Sequence, residues 1–114
     1  MAVYDRAEDV AALRPDFAAM RKVPGADAIA TAPGRDGVDF VSRYFAPNHG
    51  IDEDPATGSA HCVLTPYWAA RLGKNQFAAR QISARVGDLT CTLKGDRVTL
   101  AGRAVLYLEG TITV

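Results

Sequence analysis

"GSAHCVLTPYWAARLG", Gly58 to Gly73, is the stretch on which the fold turns. Ala60, Val63, Leu64, Tyr67, Trp68 and Leu72 recur at i, i+3, i+4 spacing, which predicts an α-helix. Cys62, Ala69 and Ala70 carry the apolar surface round most of the remaining circumference, and a helix apolar nearly all round is a buried one. Gly73 is placed as its C-terminal stop, with Lys74 beside it to favour the helix dipole. Pro66 removes one internal hydrogen bond and crowds the Cys62 carbonyl, so a bend is expected there.

Downstream the period changes to two. "QFAARQIS", "LTCTL", "RVTLA" and "RAVLYLE" are separated by "VGD", "KGD" and Gly102, and Leu89, Cys91, Leu93, Val98 and Leu100 alternate with polar neighbours. This predicts an antiparallel meander with one apolar face. Upstream, "ADAIATA" and "VDFVSRYFA" flank the turn "PGRDG" and read as a hairpin. At the N-terminus Asp5 and Glu8 have capping-box spacing, Val10, Leu13, Phe17 and Met20 continue at helical spacing, and Pro15 kinks or divides that helix. A sheet with one apolar face and a helix apolar on all sides satisfy each other if the sheet curls around the helix. The expected fold is therefore α+β: a curled, mainly antiparallel sheet, a partial barrel, around a central buried helix.

The chain has 114 residues, 48% of them hydrophobic, with no repeat, linker or low-complexity tract, so one domain over residues 1–114 is expected. Thirteen basic residues balance thirteen acidic ones, and the basic residues are scattered, which argues against nucleic acid or an anionic membrane as partner. Cys62 and Cys91 lack CxxC spacing and sit among apolar neighbours, so both are expected in the core of a reduced, cytoplasmic protein. No apolar run is long enough for a membrane span.

The charge is concentrated at one point. "GIDEDPATGSAHC", Gly50 to Cys62, sets Asp52, Glu53 and Asp54 immediately before the buried helix, with Thr57 and Ser59 as alternative N-caps. Capping and dipole compensation explain acids at a helix start in many proteins. Ala56, Gly58, Ser59 and Ala60 are all small, however, and leave the helix N–H groups within reach of a ligand carboxylate. Three adjacent carboxylates also repel: two held about 4 Å apart cost roughly 4 kcal/mol at an effective dielectric near 20, so the three are expected to splay, with one pointing into the site.

The run "DFVSRYFAPNHGIDEDPATGSAHC", followed by "YWAARLGK", resembles the second half of the phenazine-biosynthesis (PhzF-like) isomerase family, within the diaminopimelate-epimerase-like fold. The "EDPATGSA" signature after "RYFAP" carries the resemblance. It implies one of two similar lobes, each a curled sheet around a central helix, with the active site where the two helix mouths face each other. It implies that Asp54 is the cleft aspartate that positions or protonates substrate. Gly58 and Ser59 would hold the substrate through backbone N–H groups and a hydroxyl, and Thr57 is grouped with them. The implied chemistry is cofactor-free proton transfer between carbons of a small anionic or zwitterionic substrate, amino-acid-like or dihydroaromatic.

The family's principal acid/base is a glutamate of the first lobe, opposite a glycine-rich motif containing histidine, and nothing in these residues matches either. The expected partner is thus an N-terminal lobe, or a second copy in a homodimer; the alternative is a non-catalytic anion-binding or assembly domain that keeps the fold. Metal binding is not expected from His49, Asp54, His61 and Cys62, which lack HExxH or CxxC spacing. Ser59 and His61 are two apart on a helix, about 200° round, too far for a dyad. His61 is expected as a core or wall residue, and Arg43 as a partner of Asp52 or Glu53, or as a group facing substrate.

Overall fold

A computed structural model of the chain describes residues 1–25 and 27–113. Ala26, the first residue of the predicted "ADAIATA" strand, and Val114 lie outside them.

Strand β1 (Ala2–Val3) precedes helices α1 (Ala7–Ala12) and α2 (Phe17–Met20). Pro15 does divide the N-terminal helical run, and Asp16 caps α2 by accepting the Ala19 N–H at 2.9 Å. The capping box at Asp5 and Glu8 does not form. Arg6 is the N-cap of α1 and makes no side-chain cap; its guanidinium instead binds Asp9 in two places, at 2.7 and 3.0 Å.

Strands β2 (Ala28–Pro33) and β3 (Phe40–Phe45) form the predicted hairpin, in register from Ala28 opposite Phe45 to Pro33 opposite Phe40. A short 3-10 turn (Pro47–His49) and strand β4 (Glu53–Asp54) lead into helix α3 (Gly58–Leu72). The meander follows as β5 (Gln76–Gln81), β6 (Gly87–Lys94) and β7 (Arg97–Ala101). One sheet contains every strand, in the order β1-β2-β3-β5-β6-β7, with β4 paired to β3 off this path. Helix α3 is the crossover between the parallel neighbours β3 and β5.

The alternation seen in the sequence becomes a two-sided sheet. Phe40, Phe77, Ala79 and Cys91 face α3 and pack with Ala60, Leu64, Trp68 and Ala69, joined at the margin by Leu89, Leu93 and Leu100. Val41, Phe45, Ala30 and Ala32 face the other way, against Val10, Leu13, Phe17 and Met20 of the N-terminal helices. Trp68 fixes α3 to the sheet: its ring stacks on Phe40 at 5.7 Å and 6°, and its indole N–H donates to Thr31 Oγ1 at 3.1 Å.

Three expectations need correction. Helix α3 is not buried nearly all round but on one face alone, Val63 being 50% and Leu72 42% exposed, and the strands follow an open path. Sequence periodicity missed this because Cys62, Val63, Pro66 and Ala70 make the outer stripe as apolar as the inner one. Cys62 is accordingly exposed, and of the two cysteines Cys91 alone is in the core. The run "RAVLYLE" forms no strand; residues 103–113 carry no regular secondary structure and are exposed beyond β7. The stop at Gly73 is as expected, with left-handed φ of 65° and its N–H on the Ala69 carbonyl.

One-sided burial of α3 has a measurable signature. Trp68→Ala is expected to lower unfolding free energy by about 3–5 kcal/mol, whereas Val63→Ala on the outer stripe should stay within about 0.5 kcal/mol, as read by urea denaturation.

Candidate functional site

Two of the three acids are neutralised by arginines that other elements deliver. Asp52 pairs with Arg21, from the end of α2. Glu53 takes Arg43 of β3 in a bidentate pair, both contacts 2.7 Å, and the same guanidinium donates to the carbonyls of Val10, Ala11 and Leu13 at the end of α1. Arg43 thus holds the loop to the N-terminal helices; of the alternatives the sequence left open, it is the ion pair with Glu53. Asp54 has no cation among the described residues. Its carboxylate accepts a hydrogen bond from Thr57 Oγ1 at 2.6 Å and is otherwise left beside the start of α3.

A single buried side chain holds that arrangement. Gln81, the last residue of β5, is fully buried on the sheet face that carries Phe77 and Ala79. Its Oε1 accepts the Thr57 N–H at 2.9 Å, and its Nε2 donates to the Asp54 carbonyl and, at 3.0 Å, to Thr57 Oγ1. Ser83 Oγ adds a bond to the Asp54 carbonyl at 3.1 Å. Together these satisfy the backbone on both sides of the Pro55-Ala56 turn, where a buried unpaired amide would cost about 1–3 kcal/mol.

Gly87 lets the turn sit down. A Cβ there would come within 2.8 Å of Ala56 Cβ and 2.9 Å of the Pro55 carbonyl oxygen, so a larger residue would lift the loop off β6. The preceding Val86 has φ of 41°, unfavourable for a β-branched residue, so the turn that delivers Gly87 is held in a strained conformation.

Thr57 is the N-cap of α3 in backbone terms but makes no side-chain cap, because its hydroxyl is spent on Asp54. Gly58 and Ser59 are exposed, and their N–H groups have no protein acceptor among the described residues. A Cβ on Gly58 would meet only Leu100 Cδ1, at an ordinary 3.5 Å, so packing does not demand glycine there. The mouth of a helix of 15 residues is therefore open beside an unpaired carboxylate, an arrangement that suits the carboxylate of a ligand at the N–H groups and a proton donor or acceptor next to it.

The sequence reading thus named Asp54, Thr57, Gly58 and Ser59, which the fold does bring together, and missed what fixes them. Gln81 carried a legible signal, a polar residue at an apolar position of the alternation Phe77, Ala79, Gln81. Tyr44 was missed as well. It pairs across to Asp54 in the β3–β4 ladder, and its hydroxyl donates to Asp27 Oδ2 at 3.0 Å, the oxygen that also meets His49 Nε2 at 2.9 Å. Burial, then the bond to Asp27, then the charges of Asp27 and Asp54 raise the Tyr44 pKa, so the phenol stays neutral.

His61 lies one turn into α3 with no exposed surface. Its Nδ1–H donates to the Thr57 carbonyl at 2.7 Å, while Nε2 is buried without a partner. Burial lowers its pKa, against a smaller opposite effect of the Thr57 bond. It is the core residue expected, holding the N-cap carbonyl. Among the described residues no three His, Cys, Asp or Glu side chains gather as a metal site.

Comparison with known proteins follows this geometry. The family model described as "Phenazine biosynthesis-like protein" matches residues 1–110. An uncharacterized isomerase of Pseudomonas aeruginosa is 54% identical over 112 residues, 98% of this chain and 42% of that protein. A phenazine biosynthesis-like domain-containing protein of Homo sapiens is 54% identical over 76 residues, 66% of this chain and 26% of its own length. Among solved structures, a phenazine biosynthesis PhzC/PhzF protein from Clostridium difficile superposes with a TM-score of 0.84 at 42% identity, over 98% of this chain and 43% of that one. A PhzF-family protein of Enterococcus faecalis gives 0.78 at 45% identity, over 91% and 43%. The chain spans less than half the length of these relatives.

The lowered His61 pKa has a consequence for stability. In the unfolded chain the imidazole protonates near its ordinary pKa of about 6.5; in the fold it does so at lower pH, so below about 6.5 the unfolded state binds more protons and stability falls with pH. The urea midpoint should therefore drop from pH 7.5 to pH 5.5. In His61→Asn, which keeps a donor near Nδ1, that drop should be smaller.

Proposed function

Because the chain belongs to the phenazine biosynthesis-like family, we propose that it supplies one half of the active site of a cofactor-independent isomerase that moves a proton between carbons of a small carboxylic acid. Asp54 is the acid/base or positioning group of this half. The N–H groups of Gly58 and Ser59, with the Ser59 hydroxyl, receive the substrate carboxylate. Thr57 is set back from the substrate and orients Asp54. A glycine required by neither packing nor φ is accounted for by close approach of substrate to the backbone.

The observation that carries this reading is the sorting of the three acids: Asp52 and Glu53 are matched to arginines, and Asp54, without one, stands beside the open helix mouth. Proton transfer between two carbons needs a group to remove the proton and one to return it, within about 3 Å of the reacting atoms. Asp54 is one carboxylate. The family resemblance assigns the second, a glutamate, to the lobe that this chain does not cover, and the substrate is an amino-acid-like or dihydroaromatic acid enclosed between the two. The sheet and α3 are, on this reading, one lobe whose wrapping is completed in the two-lobe assembly.

A chimera in which this chain replaces the segment it matches in the P. aeruginosa isomerase provides the test. The readout is deuterium incorporation from D2O into α-amino acids and dihydroaromatic carboxylates. Asp54→Asn should reduce incorporation by about 100-fold or more, the usual worth of a general acid or base. Asp52→Asn, which loses a surface ion pair, should leave it within about threefold. The reverse ranking, or no incorporation by the chimera where the parent isomerase shows it, would contradict the proposal.

A further inference from the structure

Alternation along β3 sends Phe40 and Tyr44 to the α3 side of the sheet and Val41 and Phe45 to the other. Strand β4 continues the sorting. Glu53, opposite Phe45, meets Arg43 on the far side, whereas Asp54 is opposite Tyr44 and shares its face. Directly opposed residues of an antiparallel pair have Cβ atoms about 4.5–5.5 Å apart, so the Tyr44 ring stands beside the carboxylate that has no cation. Two residues earlier in β3, Ser42 is opposite Gln81, which binds Thr57 at the start of α3. Tyr44 is therefore at the helix-mouth end of the sheet.

Its hydroxyl is oriented from outside that mouth. It donates to Asp27 Oδ2 at 3.0 Å, and His49 Nε2 meets the same oxygen at 2.9 Å. Asn48 Nδ2 donates to the Val23 carbonyl at 2.9 Å, so the turn that carries His49 is tied to the segment before β2 at two points. A phenol has one proton to give and two lone pairs. With the proton on Asp27, acceptor capacity is what remains, and no donor among the described residues uses it. Burial, then the Asp27 bond, then the charges of Asp27 and Asp54 keep the phenol protonated, and its oxygen stands in the field of both carboxylates. Packing against the α3 cluster needs the ring alone, and Asp27 already has His49, so neither accounts for the hydroxyl.

The half-site is thus bipolar. Gly58 and Ser59 offer N–H groups, and Asp54 and Tyr44 offer acceptors. A carboxylate satisfies the first pair and gives the second nothing; an amine on the same molecule satisfies the second. We propose that Tyr44 Oη accepts a hydrogen bond from a substrate N–H, which makes it a specificity-determining residue for acids that carry an amine beside the carboxylate. The proposal rests on the reading of the half-site given above and names its substrate class.

The chimera described above tests this by calorimetric binding of two matched pairs, phenylglycine with phenylacetate and 2-aminobenzoate with benzoate, each differing by one amino group. In at least one pair the amine-bearing acid should bind about tenfold more tightly, the worth of one hydrogen bond. Tyr44→Phe keeps the ring and should bring that preference within about twofold by weakening the amine-bearing acid, with the affinity of the amine-free acid unchanged. Asp27→Ala, which frees the phenol proton, should weaken the preference in the same way, and Asp27→Asn, which still accepts from the phenol, should retain it. Equal losses for both members of a pair in Tyr44→Phe would assign Tyr44 a purely structural role and overturn the proposal. So would a preference that Tyr44→Phe leaves intact, no preference in the unsubstituted chimera, or no binding of any of the four acids. Deuterium incorporation, followed in the same samples, separates this from the isomerase reading. A preference that depends on Tyr44 without incorporation into any acid would leave the recognition standing and remove the catalytic reading; incorporation with a preference indifferent to Tyr44 would do the opposite.

Discussion

The carboxamide of Gln81 is the constraint on which the site depends. It is buried at the end of β5, between α3 and the loop that enters it, and its two ends match the two backbone groups that the Asp54–Thr57 turn would otherwise leave unpaired inside the protein. An apolar side chain in its place would orphan the Thr57 N–H, and a carboxylate would repel the Asp54 carbonyl. The same amide touches Thr57 Oγ1, so it also orients the hydroxyl that binds the Asp54 carboxylate. Sheet, loop and helix mouth are thereby locked to one another through one side chain, with Gly87 allowing the backbone to come close enough.

Around that clamp the charges are divided by use. Arg43 spends five hydrogen bonds on Glu53 and the end of α1, tying the loop to the far face of the sheet. Arg21 takes Asp52 at the surface. What remains is one aspartate, a neutral tyrosine in the adjoining strand, and free N–H groups at the helix start. The proposed transfer from carbon to carbon asks for a second group facing this half-site; the family relatives compared above are more than twice as long as this chain.

Much of this was legible in the sequence, and the failures have physical causes. The hairpin, the meander and the limits of α3 follow from period and from turn residues such as Gly73. The placing of Asp54, Gly58 and Ser59 together at the start of α3 was legible, because small residues and excess charge crowd that point in the sequence. The exposure of Cys62 and Val63 was not, since an exposed apolar stripe looks the same in sequence as a covered one. For the same reason "RAVLYLE" reads as a strand although it has none to pair with here. Gln81 and Tyr44 act through contacts across 27 and 17 residues of chain, which no local pattern encodes.

The central claim is that Gln81 closes the loop while the mouth of α3 stays open beside Asp54. Amide hydrogen exchange of the chain by NMR tests it at adjacent residues. The Thr57 N–H, bonded to buried Gln81, should exchange slowly, and the N–H groups of Gly58 and Ser59 should exchange at rates near those of an unstructured chain. Protection of Gly58 and Ser59 equal to that of Thr57 would contradict the account, because the helix mouth would then be stopped by the protein itself.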